Sequence, residues 1–117
     1  MVAVPDIFHG DPWKKDADFS NFMPWKAKHD VDHQMKELNI LLEEFHLLYK
    51  PKSVCCIGFC WGGRHSTLLA GTDKVSAAVV AHGSFVTQDI VTDVKKPILF
   101  LFADQASVAL VVISICG

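Results

Sequence analysis

The stretch that decides the fold reads VCCIGFCWGGR, from Val54 to Arg64. Its apolar beginning predicts a strand, and the GFCWGG that follows places Cys60 between Gly58 and Gly62. This spacing is typical of a nucleophile elbow, a strained strand-to-helix turn that presents a nucleophile above the carboxyl end of a sheet. Small residues two positions before and after the cysteine let the strand and the helix approach closely.

A cysteine at such a turn suits acyl transfer. The sulfur of Cys60 is expected near the first free amides of the following helix, where the helix dipole favours thiolate over thiol. The backbone amide of Trp61 is then a candidate first half of an oxyanion hole. The other interpretation is a buried strand, a glycine-rich turn and a helix, with Cys60 as a small core residue.

Strands and helices are predicted to alternate around this stretch. Further strands are expected at Val75 to Ala81 and Ile98 to Phe102, with a short one at Val2 to Val4. The clearest helix, Asp30 to Tyr49, has apolar residues at steps of three and four and Asp30 as its cap. This order predicts an α/β fold, with a mostly parallel sheet flanked by helices.

Length and composition exclude several classes of protein. The 117 residues allow at most one domain, and 50% hydrophobic with 21% charged residues is a globular composition. The formal charge of -2 argues against nucleic acid as a partner. The longest apolar run, Val108 to Ile113, is too short to span a membrane. Since the amino end lacks a secretory signal pattern, we expect a cytoplasmic protein with no membrane partner.

The cysteines and histidines predict no disulfide framework and no metal site. Cys55 and Cys56 should point to opposite faces of one strand, as small core residues. His29 and His33 have the i, i+4 spacing of a possible metal pair, but no HExxH-like partner follows.

Three motifs in order resemble the dienelactone hydrolase family, a group of carboxymethylenebutenolidase-like α/β-hydrolases. They are VPDIFHGDPW, GFCWGG and KKPILFLFAD, and the resemblance extends from about Val2 to Val108. It implies a partial α/β-hydrolase fold over residues 1–107, followed by a divergent apolar tail over 108–117. It also implies hydrolysis of small esters or lactones without a cofactor, through a Cys-Asp-His triad whose nucleophile is Cys60.

The chain departs from the family at the other triad residues. Family members continue the strand that here begins at Ile98 as Phe-Ala-Glu-x-Asp, and the last Asp is the triad acid. In this chain Asp104 takes the Glu position and Ala106 takes the position of the acid. Asp104 remains the candidate acid, and no histidine follows it. The family's opening strands would precede Met1. We therefore expect a truncated or splice product that exposes sheet edges and apolar faces.

Two residues are candidates for substrate binding. Arg64 can attract an anionic substrate, or be a solvated residue on a helix surface. His82 follows a strand at its carboxyl end, where ligands of open α/β sheets gather, or it is simply bonded to a loop carbonyl. His9 and Asp11 belong to an amino-terminal turn, either at the rim of the site or solvated.

Three functions therefore remain open from the sequence. The first is a cysteine hydrolase of small esters or lactones, and the second is a non-catalytic fragment with a binding role or no independent role. The third is a redox thiol at Cys60, which lacks a CxxC partner.

Overall fold

A computed structural model describes residues 1–103 and 108–113 of the chain. The chain divides into two compact units, Met1–Glu44 and Phe45–Gly117. A 3-10 turn at Phe19–Asn21 precedes the first α-helix. The described elements are, in chain order, α1 (Phe22–Lys28), α2 (Val31–Tyr49), β1 (Cys55–Phe59), α3 (Gly62–Ala70), β2 (Ala77–Ala81), α4 (Gln88–Thr92), β3 (Ile98–Ala103) and β4 (Val108–Ile113).

The strands form one sheet in the order β1-β2-β3-β4. The first three run parallel, whereas β4, which lies in the apolar tail, is antiparallel to β3. A helix lies in each connection between parallel neighbours, α3 before β2 and α4 before β3, because parallel strands need a crossover. This topology confirms the predicted α/β class with a mostly parallel sheet.

The core of the carboxyl-terminal unit lies on one face of the sheet. The helix α3 packs on β1 and β2, and alternate residues of the strands point toward it. Burying a valine, isoleucine or phenylalanine side chain in such a core stabilises the folded chain by roughly 1.5–3 kcal/mol. The cluster, each member at most 5% exposed, consists of Ala70, Ala78, Val80, Val94, Ile98 and Phe100.

The opposite face of β1 is not covered by any described part of the chain. Ile57 is 58% exposed and Phe59 is 59% exposed. Cys55 is exposed on the same side, whereas Cys56 packs against the core, where burial raises the pKa of its thiol. The prediction that both cysteines are core residues is therefore wrong for Cys55, because α3 covers only the face that bears Cys56.

The amino-terminal unit is organised by aromatic rings. The predicted strand at Val2 to Val4 is wrong, since both valines are nearly 90% exposed and no described strand pairs with them. The aromatic-rich segment that follows Asp16 forms the 3-10 turn and α1. Trp25 lies at the centre of a cluster of rings, in contact with Phe8, Trp13, Phe22 and His29.

The long helix α2 confirms the prediction for Asp30 to Tyr49. Asp30 Oδ2 accepts a hydrogen bond from the backbone N–H of His33 at 2.9 Å, which satisfies one of the free donors of the first turn. Leu38 and Leu42 are buried on the predicted apolar stripe. None of the described helices, α2 included, is both long and apolar enough to cross a membrane.

Candidate active site

Cys60 lies at the turn between β1 and α3, with its backbone in the left-handed region at a φ of 49°. A residue with a β-carbon is held in this region at a cost of about 1–3 kcal/mol. Its N–H donates to the carbonyl of Ala81 at 3.1 Å, and its carbonyl accepts from the N–H groups of Gly63 and Ser84 at 3.0 and 2.8 Å. A strained strand-to-helix turn is thus present at Cys60, whose side chain is exposed.

Two glycines permit the close approaches at this turn. A β-carbon at Gly58 would clash with the carbonyl of Gly62, and one at Gly63 would lie 2.5 Å from the Cα of Gly83. At Gly62, a β-carbon would meet nothing within 4 Å. A glycine is therefore required at Gly58, as expected from the sequence. After Cys60 the residue that must lack a β-carbon is Gly63 and not Gly62, because the loop after β2 passes against Gly63.

The sulfur of Cys60 has a hydroxyl neighbour. Its Sγ lies 3.3 Å from Ser84 Oγ, and either atom can be the donor. Phe59 pairs with Ala81 in the parallel register, so the carboxyl ends of β1 and β2 meet at one edge of the sheet. The sequence places Ser84 after a strand end, but only this register brings its side chain to Cys60.

The loop after β2 is also attached to the beginning of α3. The rings of Trp61 and Phe85 are in edge contact, with centroids 5.6 Å apart. Arg64 Nη1 donates to the carbonyl of Phe85 at 3.2 Å, while its buried Nε has no hydrogen-bond partner in the described part of the chain. Arg64 is therefore a half-buried link to the loop, and its predicted role toward an anionic substrate stays a prediction.

His82 leaves β2 with a φ of 39°, and its side chain is exposed. Its backbone N–H donates to the carbonyl of Leu101 at 2.8 Å, and its ring centroid lies 6.2 Å from that of Phe59. Among the described residues, the hydrogen-bond partner of the Cys60 sulfur is Ser84 and not His82. The substrate contact predicted for His82 stays a prediction.

A histidine that the sequence analysis did not single out lies in α3. His65 is 3% exposed, and its Nδ1 donates to the carbonyl of Trp61 at 3.2 Å. Burial lowers the pKa of His65, and the nearby Arg64 charge adds to this, whereas the hydrogen bond acts in the opposite direction. The only signal in the sequence was the i, i+4 offset from Trp61, which lets a side chain bond to the backbone one turn earlier.

Trp61 and Asp104 are the remaining predicted site residues. Trp61 directly precedes α3 with helical backbone angles, φ -51° and ψ -42°, and its amide as an oxyanion donor stays a prediction. Asp104, the candidate acid, lies outside the described residues, as does Ala106.

The histidines of the amino-terminal unit approach carboxylates. The buried His29 lies 3.2 Å from Asp11 Oδ2, while His9 and His33 lie 3.0 and 3.4 Å from the carboxylate of Glu37. His29 and His33, which are four positions apart, therefore contact different carboxylates. Within residues 1–103 and 108–113, no three His, Cys, Asp or Glu side chains are grouped so as to hold a metal ion.

Comparison with known proteins agrees with the fold and with the three motifs. The model of the dienelactone hydrolase family matches residues 1–109. The chain belongs to this family. Its sheet of three parallel strands with flanking helices is accordingly a partial α/β-hydrolase-type fold.

The curated relatives of this dienelactone hydrolase family member are considerably longer. The carboxymethylenebutenolidase homolog of Mus musculus is 31% identical over 110 residues, which cover 92% of this chain and 44% of the relative. The homolog of Xenopus tropicalis is 32% identical, over 90% of this chain and 44% of its own length. The endo-1,3;1,4-beta-D-glucanase of Zea mays is 34% identical, over 90% of this chain and 33% of its own. The chain thus spans less than half of each relative. No solved structure matches it significantly.

Proposed function

We propose that this chain contributes a cysteine nucleophile, Cys60, to the hydrolysis of small carboxylic esters or lactones. The observation that carries the proposal is the exposed Cys60 held at a φ of 49° directly after a parallel strand. Backbone strain of this kind is concentrated at functional sites. The dienelactone hydrolase family and the names of the relatives support hydrolysis as the class of reaction.

The chemistry follows from a thiolate at this turn. The Cys60 sulfur attacks the carbonyl carbon, forming a C–S bond and a tetrahedral intermediate with negative charge on oxygen, for which the Trp61 amide is a candidate donor. Collapse of this intermediate breaks the bond between the carbonyl carbon and the alcohol oxygen. The alcohol takes up a proton and departs, and the acyl group remains on Cys60 as a thioester. Water then attacks the thioester carbonyl, releasing the acid and restoring the thiol. None of these steps requires a cofactor.

The same steps need a group that accepts and returns a proton. In the family this group is a histidine oriented by an acid, and Asp104 is the candidate acid in this chain. Arg64 and His82 are proposed to contact the substrate. A small-molecule substrate is part of the same proposal, supported by the family. The formal charge of -2 is in line with a site that does not bind nucleic acid. The cytoplasmic location expected from the sequence is proposed with it.

A second candidate function is a non-catalytic role, in which the chain binds a partner or has no independent role. Two observations favour it. The face of β1 that bears Ile57 and Phe59 is open, and among the described residues the partner of the Cys60 sulfur is a serine and not a histidine.

Reaction with p-nitrophenyl acetate separates these functions. Sustained release of p-nitrophenol that is lost in Cys60→Ala supports the hydrolase. The matched control is Cys55→Ala, which removes an exposed thiol of β1 and should leave the release unchanged. Release that stops after one equivalent per chain, with an acetyl group on Cys60, supports a nucleophile without turnover. Release that does not depend on Cys60 contradicts its role and favours the non-catalytic function.

A further inference from the structure

We infer that Ser84 is a positioning residue for Cys60, whose hydroxyl donates a hydrogen bond to the thiolate and holds the sulfur above the strand ends. The inference rests on the proposed function for the reaction that it serves. Its test, however, measures the thiolate itself and does not depend on ester turnover.

The direction of the hydrogen bond follows from the chemistry of the two groups. At 3.3 Å between Sγ and Oγ, either atom can donate while Cys60 is a thiol. A thiolate has no proton, so once Cys60 ionises the hydroxyl of Ser84 must be the donor. A hydrogen bond to the charged form of a group favours that form. The hydroxyl of Ser84 is therefore the hydrogen-bond partner of the sulfur in its nucleophilic form.

The backbone brings Ser84 to this place independently of its hydroxyl. The N–H of Ser84 donates to the carbonyl of Cys60 at 2.8 Å. On one side of Ser84, Gly83 is packed against Gly63 and Val80, where a β-carbon would have no room. On the other side, Phe85 has a φ of 57° and its carbonyl is bonded to Arg64. Because the loop is held on both sides, its serine hydroxyl stays within reach of the sulfur.

Alkylation of Cys60 by iodoacetamide tests the inference, because only the thiolate reacts. Peptide mass spectrometry assigns the reaction to Cys60 among the four cysteines. The variants are Ser84→Thr and Ser84→Val, which have nearly the same shape and differ in the hydroxyl. At about pH 7 we expect Ser84→Val to react about tenfold more slowly than wild type, while Ser84→Thr stays within about twofold of it.

At about pH 10, where a thiol ionises without assistance, the difference should disappear. Ser84→Val should then react at least as fast as wild type, because a more basic thiolate is the better nucleophile. Equal rates of the two variants at neutral pH would overturn the inference. So would a Ser84→Val protein that is slow at both pH values, since the defect would then lie in access or structure.

Two controls keep the test decisive. If circular dichroism shows that Ser84→Val does not fold, Ser84→Ala replaces it, and the same slowing at neutral pH is expected with the same recovery at high pH. If alkylation depends on the hydroxyl but Cys60 gives no ester turnover, the proposed function is wrong and the inference about Ser84 stands.

Discussion

The turn around Cys60 and the amino-terminal unit are held by different kinds of interaction. At Cys60, backbone hydrogen bonds join the turn to the loop after β2, and glycines allow the close approaches. In the amino-terminal unit, rings gather around Trp25, and histidines approach carboxylates. The first region is held mainly through its main chain and the second through its side chains.

This difference explains where an exposed reactive group can be placed precisely. Backbone contacts fix the position of Cys60 without using its side chain, so the sulfur stays exposed. In the ring cluster the half-buried aromatic side chains themselves make the contacts that hold the unit, so they are not free for chemistry. We therefore expect the turn to be sensitive to single added atoms, and the ring cluster to tolerate changes that keep a ring.

The largest effect is expected from a methyl group added at the turn. Gly58→Ala should lower the free energy of unfolding by about 3 kcal/mol or more, because the new β-carbon would clash with the backbone of Gly62, which cannot rotate away as a side chain can. Gly62→Ala is the matched control and should change stability by about 1 kcal/mol at most. Urea denaturation measures both variants, and equal losses at the two positions would contradict the backbone account of this turn.

The next effect concerns the ring cluster. Trp25→Ala should destabilise the amino-terminal unit by about 2 kcal/mol, less than for a fully buried ring because Trp25 is half-buried. Hydrogen exchange of the α1 amides measures the effect. Trp25→Phe should cost only about 1 kcal/mol, since it keeps a ring and loses the indole N–H that donates to the carbonyl of Asp11 at 3.0 Å. If phenylalanine is as damaging as alanine, this hydrogen bond and not ring packing organises the unit.

A smaller effect on stability is expected from removing the side-chain cap of α2. Asp30→Ala should lower stability by about 1 kcal/mol, because it removes the acceptor for the His33 N–H at the beginning of α2. Asp30→Asn keeps an acceptor and should lose less. Chemical denaturation compares the two, and an equal loss would indicate that the cap contributes through its charge.

The smallest expected effect is a pH dependence carried by His65. Its pKa is lowered in the folded chain, chiefly by burial, so as the pH falls the unfolded chain takes up the proton first. The contribution of His65 is therefore fully present above the usual histidine value of about 6.5 and is lost as the pH falls through the lowered value. The urea midpoint should decrease from about pH 7.5 to about pH 5, and less so in His65→Gln. An identical decrease in that variant would assign the effect to other groups.

Sequence reasoning succeeded where the signal is local and failed where a partner was needed. The period of α2 and its cap at Asp30 belong to one continuous segment, and both were predicted. Val2 to Val4 has the composition of a strand, but a strand exists only when another strand pairs with it. Cys55 was placed in the core from its residue type, although the covering of only one face of β1 leaves it exposed.

By itself, the sequence determined the helix α2, the strands β1, β2 and β3, the turn at Cys60 and the family of the chain. These features depend on residues close together in the chain, namely apolar periods and glycine spacing. Only the tertiary structure decided that Ser84 lies against Cys60 and that Gly63, not Gly62, lacks room for a β-carbon. Cys60 and Ser84 are 24 positions apart, and what brings them together is the parallel register of β1 and β2, which no local pattern encodes.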